Sequence, residues 1–292
     1  MNAPFGQRLA DAVAARGPLC VGIDPHAALL DAWGLPDSAE GIAAFTDAVI
    51  GALAGSVAVL KPQIAFYERF GSRGVAVLEE GVARARAAGA LVLLDAKRGD
   101  IGSTMAAYAD HLRADHPLAV DAMTVNPYLG PGSLQPAVDT ARQHGGGLFV
   151  LARTSNPDAG TLQHARAGER SAAQVVVDTV RGWNTPGWVV GDPLPDPGAV
   201  RDLATGFGPT TGSFGVVVGA TLRELDVDLA GLGGPVLAPG LGAQGGTVRD
   251  LRRLFGVRAA VVPTVSRDVL GAGPDPAALR AAAERWAEAL AA

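Results

Sequence analysis

Eight short apolar runs, each closing on a polar or turn residue, recur along the 292-residue chain. They are Leu19–Asp24, Val57–Lys61, Ala90–Lys97, Ala119–Thr124, Gly147–Ala152, Phe214–Gly219, Pro235–Ala238 and Ala259–Pro263. Their length and their Val and Leu content predict parallel strands buried on both faces. Ala-, Arg- and Glu-rich segments with helical spacing lie between most of them, such as Gly41–Ala54, Gly74–Ala88 and Val248–Phe255. Strand then helix, eight times over, predicts an α/β fold, a single (β/α)8 TIM barrel. Pro276–Leu290 reads as the helix that closes the ring. One connection, Thr154 to Thr211, is longer than the rest; it holds a helical piece, Glu169–Trp183, then Pro- and Gly-rich sequence. It is too short for a second core, so it reads as an elaborated crossover between strands 5 and 6. The expectation is one domain over residues 1–292.

Composition supports a large core, with 48% hydrophobic and 18% charged residues. Lys and Arg number 24 against 29 Asp and Glu, a formal charge of −5. That balance argues against nucleic acid or an anionic membrane as the main partner, while leaving room for a local phosphate site. A single cysteine, Cys20, excludes an internal disulfide and a cysteine-based zinc site. No uninterrupted apolar stretch is long enough to span a membrane, and Met1–Arg16 lacks the apolar region of a signal peptide. The compartment expected is the cytoplasm. The five histidines are scattered, and His111 and His116 do not share a helix face well, so no metal site is expected.

In such a barrel the chemistry sits at the C-terminal ends of the strands. The residues there are Asp24, Lys61, Asp95 with Lys97, Asn126, Thr154 with Ser155, Gly219, Pro239, and Ser266 with Arg267. Strand alternation puts Leu91, Leu93, Asp95 and Lys97 on one side. Asp100 follows just past the turn. A purely structural reading competes: an Asp95–Lys97 ion pair, a helix Thr104–Arg113 capped by Asp100 or Ser103, and a solvated Arg98. Lys61 and Asp24 favour chemistry, because they too end apolar strands at the same mouth.

The stretch Asp95-Ala96-Lys97-Arg98-Gly99-Asp100-Ile101-Gly102-Ser103-Thr104 resembles the signature of the orotidine 5′-phosphate decarboxylase family. The likeness continues through Val21-Gly22-Ile23-Asp24-Pro25, Leu60-Lys61-Pro62-Gln63 with Phe66-Tyr67-Glu68, and Thr154-Ser155-Asn156-Pro157. It extends to Val218-Gly219-Ala220-Thr221 and to Ala238-Pro239-Gly240-Leu241-Gly242-Ala243-Gln244-Gly245-Gly246. The long crossover resembles that of the longer, largely bacterial branch.

The resemblance implies decarboxylation of orotidine 5′-phosphate to UMP and CO2, the last step of pyrimidine nucleotide synthesis, without metal or organic cofactor. It implies that Lys97 protonates carbon 6 within an alternating array Lys61–Asp95–Lys97–Asp100. Asp95 then lies near the departing carboxylate, and Asp100 comes from a neighbouring subunit. Ile101 also belongs to the implied substrate site. Asp24 and Lys61 are implied to contact the ribose, with Thr104 reaching it from the partner, and Ser155 to hydrogen-bond the pyrimidine. Pro239 is implied to bind substrate, Gln244 to bridge base and phosphate, and Gly245, Ser266 and Arg267 to lie at the phosphate end, where Gly240, Gly242 and Gly245 are expected to offer backbone N–H groups. Ser266 departs from the glycine that precedes the arginine in other branches, which leaves the N–H donors open. The implied assembly is a two-fold homodimer with shared sites.

Gly240-x-Gly242-x-x-Gly245 also satisfies a dinucleotide-binding fingerprint. Too little chain follows to finish a doubly wound sheet, and no acidic residue ends the next strand near Val262. A Mg²⁺-dependent phosphosugar decarboxylase or aldolase stays open, with Asp24 and Asp95 as candidate ligands. So does a non-catalytic phosphate-binding barrel. The Trp183–Pro197 stretch and Ala204–Ser213 carry no assigned chemistry.

Overall fold

The computed structural model describes residues 3–189, 191–193, 206–256 and 259–292. Eight strands close into a barrel: β1 (Cys20–Ile23), β2 (Val59–Pro62), β3 (Leu91–Arg98), β4 (Ala122–Val125), β5 (Gly147–Arg153), β6 (Phe214–Val218), β7 (Val236–Pro239) and β8 (Val261–Val265). Neighbours in sequence pair in parallel, and β8 returns to β1. Each predicted apolar run carries one strand.

The principal helices are α1 (Phe5–Arg16), α2 (Ala39–Leu53), α3 (Gly71–Ala87), α4 (Gly102–Ala109), α5 (Gln135–His144), α6 (Ala172–Asn184), α7 (Val248–Phe255) and α8 (Pro276–Ala291). Local chemistry sets several starts. Thr247 and Asp250 form a reciprocal capping box at α7. Asp275 caps α8, and Pro276 takes the first helical position, where a missing N–H costs nothing.

Two apolar layers hold the barrel. Val92, Leu94, Met123, Val150 and Val216 point outward into the belt beneath the helices. Cys20, Val59, Leu91, Leu93, Ala122, Phe149, Val217, Leu237 and Val262 fill the interior. Phe5, Leu9 and Ala12 of α1 join that interior, so the N-terminal helix plugs the bottom of the barrel. Phe5 meets Phe149 edge-on at 6.0 Å. Arg8 holds the plug by pairing with Asp121 at 2.5 Å and donating to the Gly145 carbonyl at 2.9 Å. No helix among the described residues is long and apolar enough to cross a membrane.

Three expectations need correction. First, the strand-then-helix alternation fails once. Between β6 and β7, residues 219–235 form no helix, in a stretch rich in Gly with Asp226, Asp228 and Pro235. Helix α6 supports this loop instead. Its buried Arg181 donates to the carbonyls of Ala230 and Asp228, both at 3.0 Å, and pairs with Asp178 at 2.5 Å.

Second, α6 does not begin at Glu169. Arg166–Ala167 and Arg170–Ser171 pair as a small antiparallel hairpin around Gly168, whose φ of 66° suits glycine. Ser171 then caps α6 by accepting the Gln174 N–H at 3.1 Å. Third, the helix expected over Thr104–Arg113 is α4, followed by a 3-10 turn, Asp110–Leu112. Its N-cap is Ile101, with no side-chain cap bond, so neither Asp100 nor Ser103 caps it.

Trp183 ends α6 buried and edge-on to Phe214, with ring centres 5.9 Å apart. Trp188 lies on Gly182, where a Cβ would come within 2.6 Å of the indole. The remainder of Trp183–Pro197, namely 190 and 194–197, lies outside the described residues, as do 204 and 205 of Ala204–Ser213.

Candidate active site

Three adjacent strands converge on one carboxylate. Asp95 of β3 lies between Lys61 of β2 and Thr124 of β4. The Lys61 ammonium is 2.8 Å from Asp95 Oδ2, and the Lys97 ammonium is 2.6 Å from Oδ1. Thr124 Oγ1 donates to Oδ1 at 2.9 Å, and Gln63 Nε2 donates to Oδ2 at 3.2 Å. Each carboxylate oxygen therefore accepts two donors, which fills the capacity of an ionised Asp. Burial alone would raise the Asp95 pKa. The charges and hydrogen bonds of Lys61 and Lys97 outweigh it and hold the carboxyl well below the usual carboxylate range. Burial opposes the charge on Lys61, but Asp95 and Asp24 together raise its pKa. Beneath them, burial pushes the Cys20 thiol up to about 12, so it stays neutral.

The backbone at Lys97 leaves regular strand geometry. Between the pairs Leu94–Met123 and Arg98–Val125, β3 advances four residues while β4 advances two. Lys97 sits in this bulge with φ 48°, the only non-glycine with positive φ among the described residues. A left-handed conformation costs an L-residue roughly 1–2 kcal/mol. Bulges of this kind re-aim a side chain near a site. Here the ammonium turns back to Asp95 while its side chain stays 45% exposed at the mouth.

A polar cavity of about 290 Å³ opens above these groups. Of the residues singled out from sequence, Asp24, Lys61, Asp95, Lys97, Pro239, Gln244, Ser266 and Arg267 line it. Asp24 Oδ1 and Thr264 Oγ1 are buried there without hydrogen-bond partners. Packing is close at Gly22 of β1, where a Cβ would meet Ser266 Oγ at 1.9 Å and force that hydroxyl to turn away. A second, largely apolar cavity of about 680 Å³ lies on the other side of Lys97, which lines both. Asn126, Tyr128, Thr154 and Leu162 border it.

Other expected site residues stand apart from the polar cavity. Ser155 is exposed and lines neither cavity, although Thr154 and Asn156 line the second. Its side chain packs against Gly219, where a Cβ would lie 2.8 Å from Ser155 Cβ. Asp100 accepts the Ile101 N–H at 2.8 Å and pairs with no cation among the described residues. Ile101 and Thr104 are exposed on α4 and its cap. Gly245 is exposed and outside the cavity lining. The expectation that the loop glycines offer their N–H groups to phosphate needs correction at two of the three; Gly240 lines the cavity. Gly242 N–H donates to Gly246 O at 2.9 Å, and Gly245 N–H to Gly242 O at 2.6 Å, so the turn uses both internally.

Four residues escaped the sequence reading of the site: Gln63, Phe66, Thr124 and Thr264. Period-two alternation could have found three of them. Gln63 lies two residues past Lys61, and Thr264 falls between the inward-facing Val262 and Ser266. Thr124 ends the fourth apolar run, two residues past the inward-facing Ala122. Among the described residues, no three His, Cys, Asp or Glu side chains converge to hold a metal ion.

Comparison with known proteins agrees with this architecture. Residues 17–282 match the model of the Orotidine 5′-phosphate decarboxylase / HUMPS family. The orotidine 5′-phosphate decarboxylase of Salinispora arenicola is 56% identical over 284 residues, covering 96% of this chain and 95% of that protein. That of Streptomyces coelicolor is 56% identical over 287 residues, covering 97% and 96%. A crystal structure from Streptomyces avermitilis, 55% identical, superposes with a TM-score of 0.87 and covers 100% of this chain and 97% of that one. The Leishmania donovani OMP decarboxylase structure, 31% identical, gives 0.71 with 99% and 98% coverage. Barrel, charge cluster and relatives thus lead to one assignment: the chain belongs to the orotidine 5′-phosphate decarboxylase / HUMPS family.

Proposed function

We propose that this chain decarboxylates orotidine 5′-phosphate to UMP and CO2, completing pyrimidine nucleotide synthesis, without metal or organic cofactor. The observation that carries this reading is the Asp95 carboxylate, fixed at a barrel mouth between two ammonium groups. A buried carboxylate is a poor feature for simply binding an anion. It suits a substrate that loses its own carboxylate beside a cation held ready as proton donor.

In the proposed reaction the bond from carbon 6 to the carboxylate breaks, and its electron pair stays on carbon 6. CO2 departs, and the Lys97 ammonium transfers a proton to carbon 6. The resulting amine regains a proton from water. The ring offers that electron pair no orbital to spread into, so stabilisation must come from fixed charges. Asp95, itself anchored by Lys61, holds Lys97 in place for this. Charge repulsion between Asp95 and the substrate carboxylate would add ground-state destabilisation.

Arg267 and Gln244 border the cavity and suit the phosphate, with the guanidinium offering a forked pair of donors. Pro239 and Ser266 border the same cavity. The unpartnered Asp24 Oδ1 needs a donor, which a ribose hydroxyl supplies. In this reading Ser155, on the exposed loop after β5, serves the pyrimidine.

The active form in this reading is a two-fold homodimer of single-domain subunits in the cytoplasm. Asp100, Ile101 and Thr104 would complete the partner's site. Their position away from their own cavity supports this, as does the exposure of Ile101, Tyr128 and Leu129 at 62, 74 and 54%.

The deciding experiment is turnover of orotidine 5′-phosphate by purified protein in EDTA, followed by substrate absorbance and CO2 release. Full activity is the expected result. Activity that returns only with Mg²⁺ would overturn the cofactor-free part. Inactivity under both conditions in a folded protein would point to another phosphorylated ligand.

A further inference from the structure

We propose that Thr124 is a positioning residue for the reaction, its one hydroxyl fixing both the backbone of Lys97 and the carboxylate of Asp95. The inference rests on the reading of Lys97 and Asp95 as the reacting pair.

Thr124 is 1% exposed and lies in β4 beside the bulge in β3. Its Oγ1 accepts the Lys97 N–H at 3.0 Å and donates to Asp95 Oδ1 at 2.9 Å. The directions are fixed by chemistry, since an amide can only donate and a carboxylate can only accept. Lys97 Nζ meets the same Oδ1 at 2.6 Å. A closed circuit results, running from the Lys97 backbone through the Thr124 hydroxyl and Asp95 Oδ1 to the Lys97 ammonium.

The circuit answers a need created by the bulge. Extra residues in β3 take Lys97 out of the regular ladder with β4. Its amide bonds to a side chain there instead of a backbone carbonyl. The left-handed φ of 48° is therefore held from the neighbouring strand. Rotation of this peptide would swing the ammonium away from carbon 6. Lys61 and Gln63 anchor only the other oxygen, Oδ2, and neither touches the Lys97 backbone.

The role predicts a separation between binding and chemistry. Thr124→Val keeps the shape and removes both hydrogen bonds; Thr124→Ser keeps the hydroxyl and loses a methyl. Misplacement of a reacting group by about 1 Å costs on the order of 100-fold. Thr124→Val should therefore lower kcat by roughly 10- to 100-fold while KM, and Kd for UMP by calorimetry, stay within about threefold. Thr124→Ser should recover kcat to within about threefold of wild type.

Wild-type turnover is measured first, so that failure of the proposed function is distinguished from failure of this inference. A merely structural threonine would lower the denaturation midpoint and leave kcat unchanged well below it. With an active wild type, a Thr124→Val kcat within twofold of it would overturn the proposal. So would equal losses in the Val and Ser variants. If Thr124→Val does not fold, Thr124→Ala is read by the same criteria.

Discussion

Lys61 and Asp95 face each other from adjacent strands with 2.8 Å between ammonium and carboxylate, and both residues are buried. Breaking a buried pair leaves an uncompensated charge, which typically costs 3–5 kcal/mol. Asp95 retains Lys97, so Lys61→Met should destabilise by about 3 kcal/mol or somewhat less in urea titrations. A loss below roughly 0.5 kcal/mol would mean the pair is not formed in solution.

The depressed Asp95 pKa makes a signed prediction about acid. A carboxyl whose folded pKa lies below its unfolded value stabilises the fold above the unfolded value, near 4, and loses this as pH falls through the folded one. Wild-type stability should therefore fall more steeply below about pH 4 than that of Asp95→Asn. Denaturant titrations between pH 7 and 3 provide the comparison. Other carboxylates contribute to both proteins, so the difference in slope isolates Asp95; parallel curves would contradict the depressed pKa.

Lys97 combines strain with chemistry, and substitutions separate the two. Alanine keeps the Cβ that makes φ 48° unfavourable, whereas glycine does not. Lys97→Gly should be about 1 kcal/mol more stable than Lys97→Ala, measured by denaturation. Both should lose turnover by at least roughly 1,000-fold, since each lacks the proposed proton donor. Substantial residual turnover in either would remove Lys97 from that role.

Arg267 should act on phosphate recognition. Its loss removes charge-assisted hydrogen bonds of about 1.5–3 kcal/mol. Arg267→Ala should weaken UMP binding by roughly 10- to 100-fold and leave uridine binding nearly unchanged. Calorimetry with both ligands tests this. An equal effect on both would place Arg267 away from the phosphate.

The barrel was legible because eight apolar runs each had to be buried on both faces. The ends of those runs then located Lys61, and a period of two Asp95, while Lys97 reaches the same mouth through a bulge rather than by regular alternation. Loops were less legible. Nothing local in residues 219–235 announces that Arg181, distant in sequence, would brace them in place of a helix. The glycine loop misled for a related reason. Glycine content showed freedom of φ, but it could not show that Gly242 and Gly245 would use their own N–H groups inside the turn. Period-two alternation places Thr124 inward, but its bond to the Lys97 amide depends on a bulge in the neighbouring strand that no local pattern announces.

The proposed shared-site dimer makes the most discriminating prediction. Lys97→Ala and Asp100→Asn should each be nearly inactive alone. If Asp100 acts in the partner's site, a mixed dimer contains one doubly altered site and one intact site. Random exchange at equal amounts makes half of the dimers mixed, so about one quarter of wild-type activity should return. Sites built from one chain would give no intact combination and no recovery. The measurement is turnover before and after subunit exchange, with exchange itself verified by differently tagged subunits. Absence of recovery after verified exchange would place Asp100 in its own chain's site or outside the reaction.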